Sequence, residues 1–184
     1  MFGGDKDRLY LTLNHRYNLP GFHWAFVLAG KDEGSGKSPE KKETRWHVVN
    51  PNSTATHRAH WKFEQDKVNQ YNSASLCARI VLRKIDPARR QKVISYLKHV
   101  LETQVRIWQG DANFSCVSWA LEAVAVLQRL KIIQLTVPLG DFENIVTRFG
   151  DESLNRIATG RLNIAQLGAS AIPVLELLDK NAVS

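Results

Sequence analysis

Gly21-Phe22-His23-Trp24-Ala25-Phe26-Val27-Leu28-Ala29 is the stretch whose reading decides the fold. Along an extended chain successive side chains point to opposite faces. Phe22, Trp24 and Phe26 therefore share one face of a strand, and His23, Ala25 and Val27 share the other. Three large aromatics on one face require a core beneath them. A histidine in the middle of such a strand is costly unless its nitrogens find partners, so its presence needs a reason. Asn18-Leu19-Pro20-Gly21 is a turn, and Arg8 to Asn14 before it alternates well enough to be a neighbouring strand.

Working outward, Lys31 to Thr44 is polar, rich in lysine and glycine, and offers nothing to a core, so it reads as a mobile loop. Arg45-Trp46-His47-Val48-Val49-Asn50-Pro51 is a third strand stopped by proline. Strands joined by one excursion pair antiparallel, which makes the second and third a long-looped hairpin. Trp61 to Val68 and Leu76 to Ile85 supply further strands. Asp86-Pro87 is an N-cap followed by an N1 proline, leading into a helix over Arg89 to Glu102 with Val93, Leu97, Val100 and Leu101 as its buried stripe.

A second helix opens in Asp111-Ala112-Asn113-Phe114-Ser115-Cys116-Val117-Ser118-Trp119. Asp111, Asn113 and Ser115 are capping residue types, and Val117, Leu121, Val124 and Leu127 have the spacing of one buried face. Cys116 then falls in the first turn. Unpaired N–H groups and the helix dipole favour negative charge there, which lowers a thiol's pKa and exposes a nucleophile. Beyond it, Asp141 caps a helix to about Arg148, Asp151 to Thr159 is helical, and Pro173 to Asp179 reads as a last helix. The class is α+β, an antiparallel sheet packed against helices, in a single domain over residues 1–184. Its core spans about 8–130, and 131–184 is a helical C-terminal extension.

The 184 residues are ordinary for one globular domain, with 43% hydrophobic and 23% charged. Two cysteines, Cys77 and Cys116, are too few for a disulfide framework, and Cys77 in its apolar run reads as a small buried hydrophobe. Neither a signal sequence nor a transmembrane stretch is visible, so the expected setting is soluble, reducing and cytoplasmic. A net charge of +7 favours anionic partners. The basic residues are scattered, without an arginine-rich arm or an RNA-binding signature, so nucleic acid is not the expected partner. No zinc pattern or cofactor motif accompanies them, and neither a metal nor a cofactor is expected.

A nucleophilic cysteine needs a base, and usually a third group to orient the base. Among six histidines, His23 and His47 alone stand at the centres of adjacent strands, where paired strands bring side chains together. The motif Gly21-Phe22-His23-Trp24-Ala25-Phe26-Val27-Leu28, then Trp46-His47-Val48-Val49, then a cysteine opening a helix resembles the circularly permuted papain-like fold. Lecithin:retinol acyltransferase-like proteins carry this His–His–Cys order with a His-Trp-Ala strand. NlpC-type peptidases use the same parts as Cys–His–His, and PPPDE peptidases also place a histidine before the cysteine. The chain is similar as well to small uncharacterised fungal proteins with a His-Trp-Ala strand and a Cys-x-x-Trp helix.

The resemblance implies Cys116 as nucleophile, His23 as general base and His47 as the orienting third member, with Asn50 and Asn113 as alternatives for that third place. If His23 pairs directly with Cys116, a thiolate–imidazolium pair and a lowered thiol pKa follow. Trp24, Asn113 and Trp119 are the candidate substrate contacts, although Trp24, Trp46 and Trp119 also read as core. The acyltransferases follow their cysteine with Glu-His, where this chain has Val117-Ser118-Trp119. The implied activity is a cysteine hydrolase or acyltransferase acting on an amide, isopeptide or ester bond through a thioester. Its substrate would be an anionic peptide, protein or lipid acyl group. The alternatives are a non-catalytic binding module of the same fold, presenting its basic surface to an anionic partner, and a bond-forming biosynthetic enzyme that uses the same residues.

Overall fold

The computed structural model describes residues 6–30, 43–51, 60–69, 73–161 and 172–178. Strands β1 (Asp7–His15) and β2 (Phe22–Ala29) form a hairpin paired along its whole length, from Arg8↔Ala29 to His15↔Phe22. Gly21 closes the turn at φ 76°, a conformation that glycine adopts without Cβ strain. Strand β3 (Glu43–Val49) pairs with β2 only at Phe26↔Trp46, Val27↔Arg45 and Leu28↔Thr44, and beyond Phe26 no pairing joins the two strands. Strand β4 (Lys62–Val68) pairs with all of β3, and β5 (Leu76–Ile85) pairs with β1 across two bulges.

Helix α1 (Arg90–Thr103) follows a 3-10 turn at Pro87–Arg89 whose cap is Asp86, the carboxylate accepting the Ala88 N–H at 2.9 Å. Helices α2 (Cys116–Arg129) and α3 (Leu139–Ala158) follow. Strand β6 (Val174–Glu176) then joins the edge of β5, giving the order β4-β3-β2-β1-β5-β6.

The sheet separates apolar from polar as the alternation requires. Leu9, Leu11, Leu13, Trp24, Phe26, Leu28, Trp46, Val48, Ile80 and Leu82 fill one face and meet Leu97 and Val100 of α1, Trp119, Val124 and Leu127 of α2, and Phe142 and Val146 of α3. Each such side chain contributes about 1.5–3 kcal/mol on leaving water. Tyr10, Thr12, His23, Ala25, Val27, Arg45 and His47 belong to the other face.

Several expectations change. The sheet is mixed, because β6 runs parallel to β5 with Arg79↔Val174 and Val81↔Glu176. Residues 174–176 are thus a strand and not the expected helix; the unpaired edge of β5 gave their backbone hydrogen-bond groups a partner. The C-terminal part is accordingly not purely helical, and Phe142 and Val146 lie in the main core. The two helices expected on either side of Gly150 are one continuous α3. In α1 the deepest residues are Ile94, Leu97, Val100 and Leu101, with Val93 only partly buried. In α2 the buried face turns to Cys116, Trp119, Ala120, Ala123, Val124 and Leu127, leaving Val117 and Leu121 at its margin. Strand β3 starts at Glu43, and the rest of the expected loop, residues 31–42, lies outside the described residues. No helix among the described residues is long and apolar enough to cross a membrane.

Candidate active site

The start of α2 is built by short polar side chains. The Asp111 carboxylate accepts the Asn113 N–H at 2.8 Å, turning the chain toward the helix. Ser115 is the N-cap, extended at φ −150°, and its hydroxyl accepts the Ser118 N–H at 3.3 Å. The Ser118 hydroxyl accepts the Ser115 N–H at 2.8 Å in return. This reciprocal pair satisfies two backbone donors that a helix start otherwise leaves open. It also fixes Cys116 as the first helical residue.

Cys116 is buried, at 2% exposure, and its thiol donates to the Phe22 carbonyl across 3.8 Å. The strand geometry explains why that carbonyl is free. Carbonyls along a strand alternate between its two edges. Those of His23 and Ala25 point toward β1, where the Asn14 amide (3.5 Å) and the Thr12 hydroxyl (3.1 Å) reach them. The Phe22 carbonyl therefore points toward β3, at a level where β2–β3 pairing has ended. The sulfur occupies that parting of the strands.

Burial pushes the Cys116 thiol above its ordinary pKa. Hydrogen bonds from the main-chain N–H groups of Trp24, Cys116 and Val117, and the Arg16 charge, pull it down by less. The lowered pKa expected from the helix start is overturned here, because desolvation outweighs the helix-end donors.

Across the same parting, His23 Nε2 and His47 Nδ1 are 2.8 Å apart, with their rings edge to face. Continuing the β2–β3 register sets Ala25 opposite His47, so His23 is the diagonal neighbour of His47 on that face. Burial lowers both imidazoles to about 4; the second influence is the other ring for His23 and the Arg45 charge for His47. Both rings are therefore neutral at neutral pH. Arg45 is itself bound by Asp66 through Nε (2.9 Å) and Nη2 (2.5 Å), a paired fork two residues along β3 from His47.

Residues 6–182 match a family of unknown function, DUF6914. The chain belongs to that family. No curated protein and no solved structure matches it.

In this member of the family, the structure joins His23 to His47 and lays Cys116 against the main chain beside His23. Among the described residues neither imidazole is hydrogen-bonded to the sulfur. Trp24 and Trp119 are core residues, at 1% and 0% exposure, and as placed they pack instead of facing a substrate. Trp119 meets Phe26 at 5.8 Å and Phe63 at 6.1 Å between ring centroids. Asn113 is exposed and serves the turn at Asp111. Asn50 accepts the His60 N–H at 3.1 Å and bonds neither imidazole. Cys77 is buried, as expected of a small hydrophobe, and both cysteines are free.

One residue escaped the sequence reading. Glu64 stands directly opposite His47 in the β3–β4 pairing, with Oε2 3.8 Å from His47 Nε2. The alternation of β4 marks Glu64 only as one polar residue among several. Its register against His47 depends on the connection between the strands, which sequence alone does not set.

Proposed function

We propose that the protein is a thiol-dependent acyl-transfer enzyme with Cys116 as nucleophile, His23 as general base and His47 as the group that orients His23. The observation that carries this reading is the His23–His47 hydrogen bond of 2.8 Å, formed at the start of the same strand whose Phe22 carbonyl holds the Cys116 thiol. A pair of histidines in that relation to a cysteine at a capped helix start has the parts of a base, an orienter and a nucleophile.

The resting pair is a neutral thiol and a neutral imidazole, so the proton moves during attack. The Cys116 side chain turns away from the Phe22 carbonyl and gives its proton to His23 Nδ1, the ring nitrogen not engaged with His47. The sulfur bonds to the acyl carbon of an amide, isopeptide or ester. Main-chain N–H groups of Cys116 and Val117 receive the developing oxyanion. The tetrahedral intermediate collapses to a thioester, and the departing amine or alcohol takes the proton held by His23. Water, or an acceptor amine or alcohol, then attacks the thioester while His23 removes its proton, and the free thiol returns. The charge of +7 favours an anionic peptide, protein or lipid acyl donor. The two free cysteines suit a cytoplasmic setting.

A second reading, a binding module without catalysis, is favoured by the burial of Cys116 and by its donation to a carbonyl, both of which suit a structural thiol. Treatment with an activated thiol-directed ester, followed by intact-mass and peptide analysis, separates the two. The enzyme acylates Cys116 at least about tenfold faster than Cys77, a difference of roughly 1.4 kcal/mol in barrier, and His23→Ala abolishes the preference. Equal labelling of the two cysteines, unchanged by His23→Ala, leaves the binding module.

A further inference from the structure

We infer that Glu64 is a positioning residue that sets the tautomers of His47 and His23, and thereby leaves His23 Nδ1 free to act as the base; this rests on the acyl-transfer reading above. The contact between the rings poses the question. One hydrogen lies between His23 Nε2 and His47 Nδ1, and either ring can supply it. If His47 donates, His23 accepts at Nε2 and carries its hydrogen on Nδ1, where no lone pair remains to take a thiol proton. If His23 donates, its Nδ1 is bare and basic. Both rings are neutral at neutral pH, so the choice is one of tautomer and not of charge.

The far nitrogen of His47 makes that choice. His47 Nε2 is buried and has no hydrogen-bond partner among the described residues. The charged group facing it is Glu64, whose Oε2 lies 3.8 Å away. That is longer than a hydrogen bond, so the carboxylate acts through its field. An ionised carboxylate favours an N–H turned toward it and repels a lone pair. Lys62 pairs with the other carboxylate oxygen, Oε1. The other charges near His47 are Arg45 and Asp66, which are bound to each other in a two-point contact and act on the ring in opposite senses. Glu64 thus holds the hydrogen of His47 on Nε2, His47 Nδ1 accepts from His23 Nε2–H, and His23 Nδ1 keeps its lone pair. A carboxylate holding an imidazole tautomer through its far nitrogen is a general device of catalytic and metal-binding histidines.

The test reads the tautomers directly. In the full chain labelled with nitrogen-15 in histidine, long-range proton–nitrogen correlation at neutral pH shows which nitrogen of each ring carries hydrogen. The wild type should place it on Nε2 in both His47 and His23. Glu64→Ala should move population to Nδ1 in both rings together, because the hydrogen between them then comes from His47. Glu64→Gln, whose amide oxygen still accepts, should stay nearer the wild type. Glu64 lies on the edge strand β4 with its side chain 36% exposed, so these variants keep the fold, which circular dichroism checks. Alongside, Glu64→Ala should slow acylation of Cys116 by about tenfold, equivalent to roughly 1.4 kcal/mol, through kcat with KM unmoved. Wild-type tautomers in Glu64→Ala overturn the inference. Rings that switch while Cys116 stays inert in every variant leave the tautomer role standing and remove the acyl-transfer reading.

Discussion

Cys116 donates its thiol hydrogen to the carbonyl of Phe22, 3.8 Å away and one peptide bond from His23. That contact ties the nucleophile candidate to the strand bearing the base candidate, and it holds the sulfur in its neutral form. A thiolate has no hydrogen to give a carbonyl, and burial already disfavours its charge. The resting arrangement is therefore a stored thiol beside a neutral base, unlike a preformed ion pair.

The pH profile of cysteine reactivity should show this. In a Cys77→Ala background, alkylation of Cys116 should be slow at mildly acidic pH and should rise toward or beyond the free-thiol value of about 8.5. Acylation by a true substrate should follow a different curve. Its acid limb should lie near 4, where His23 gains a proton, well below the ordinary histidine value of 6.5. Alkylation that persists at mildly acidic pH would restore the thiolate–imidazolium pair and contradict the stored-thiol arrangement.

Stability should depend on pH through the same rings. Both imidazoles have folded pKa values of about 4, below the unfolded value of 6.5. Between those values the unfolded chain binds more protons, so stability rises with pH. The contribution is complete above the unfolded value and is lost as pH falls through the window toward the folded one. The groups facing the rings are Arg16 and Arg45 for His23, and Arg45, Asp66 and Glu64 for His47. Between neutral pH and about pH 5, Tm should fall by several degrees more in the wild type than in His23→Gln/His47→Gln. Parallel curves would mean that the rings are not desolvated in the native state.

How much of this was legible depended on whether a residue's role is local. The strand at Phe22–Ala29, the cap at Asp86 and the helix opening at Cys116 follow from side-chain alternation and capping chemistry within a few residues. The juxtaposition of His23 and His47 needed one further step, the pairing of consecutive strands. Strand β6 was not legible, because its partner is the edge of β5 about a hundred residues earlier, and Val174-Leu175-Glu176 alone suits a strand or a helix. Glu64 was hidden for the same reason, since a one-residue change in β3–β4 register would turn it to the other face. The raised thiol pKa was hidden because the helix-end effect is visible in sequence and the depth of burial is not.

The capping box gives a smaller prediction. Ser115→Ala removes the acceptor for the Ser118 N–H and should cost about 1 kcal/mol, or roughly 2–4 °C in Tm for a chain of this size. Ser118→Ala removes the return bond to the Ser115 N–H and should cost less, because that N–H can turn to water. Equal and negligible losses would show that packing alone fixes the helix start.

Gly150 offers the sharpest test of how closely α3 approaches the site. It lies in the interior of that helix, where alanine is ordinarily favoured by about 1 kcal/mol. A Cβ on Gly150 would nevertheless come within 2.7 Å of Leu13 Cδ1 and 2.8 Å of Phe22 Cε2. Both side chains are buried, at 0% and 4% exposure, so neither can yield by swinging into solvent. Overpacking of this kind costs about 1–3 kcal/mol, which exceeds the propensity gain. Gly150→Ala should therefore lower Tm by a few degrees, whereas Gly140→Ala in the first turn of the same helix, with nothing within 4 Å, should be neutral or slightly stabilising. The strained neighbour is Phe22, whose carbonyl holds the Cys116 thiol. Displacing its ring should move that carbonyl and speed alkylation of Cys116 at fixed pH, with Cys77 unchanged. A Gly150→Ala protein as stable as the wild type, and with the same Cys116 reactivity, would place α3 further from the β1–β2 hairpin than these contacts require.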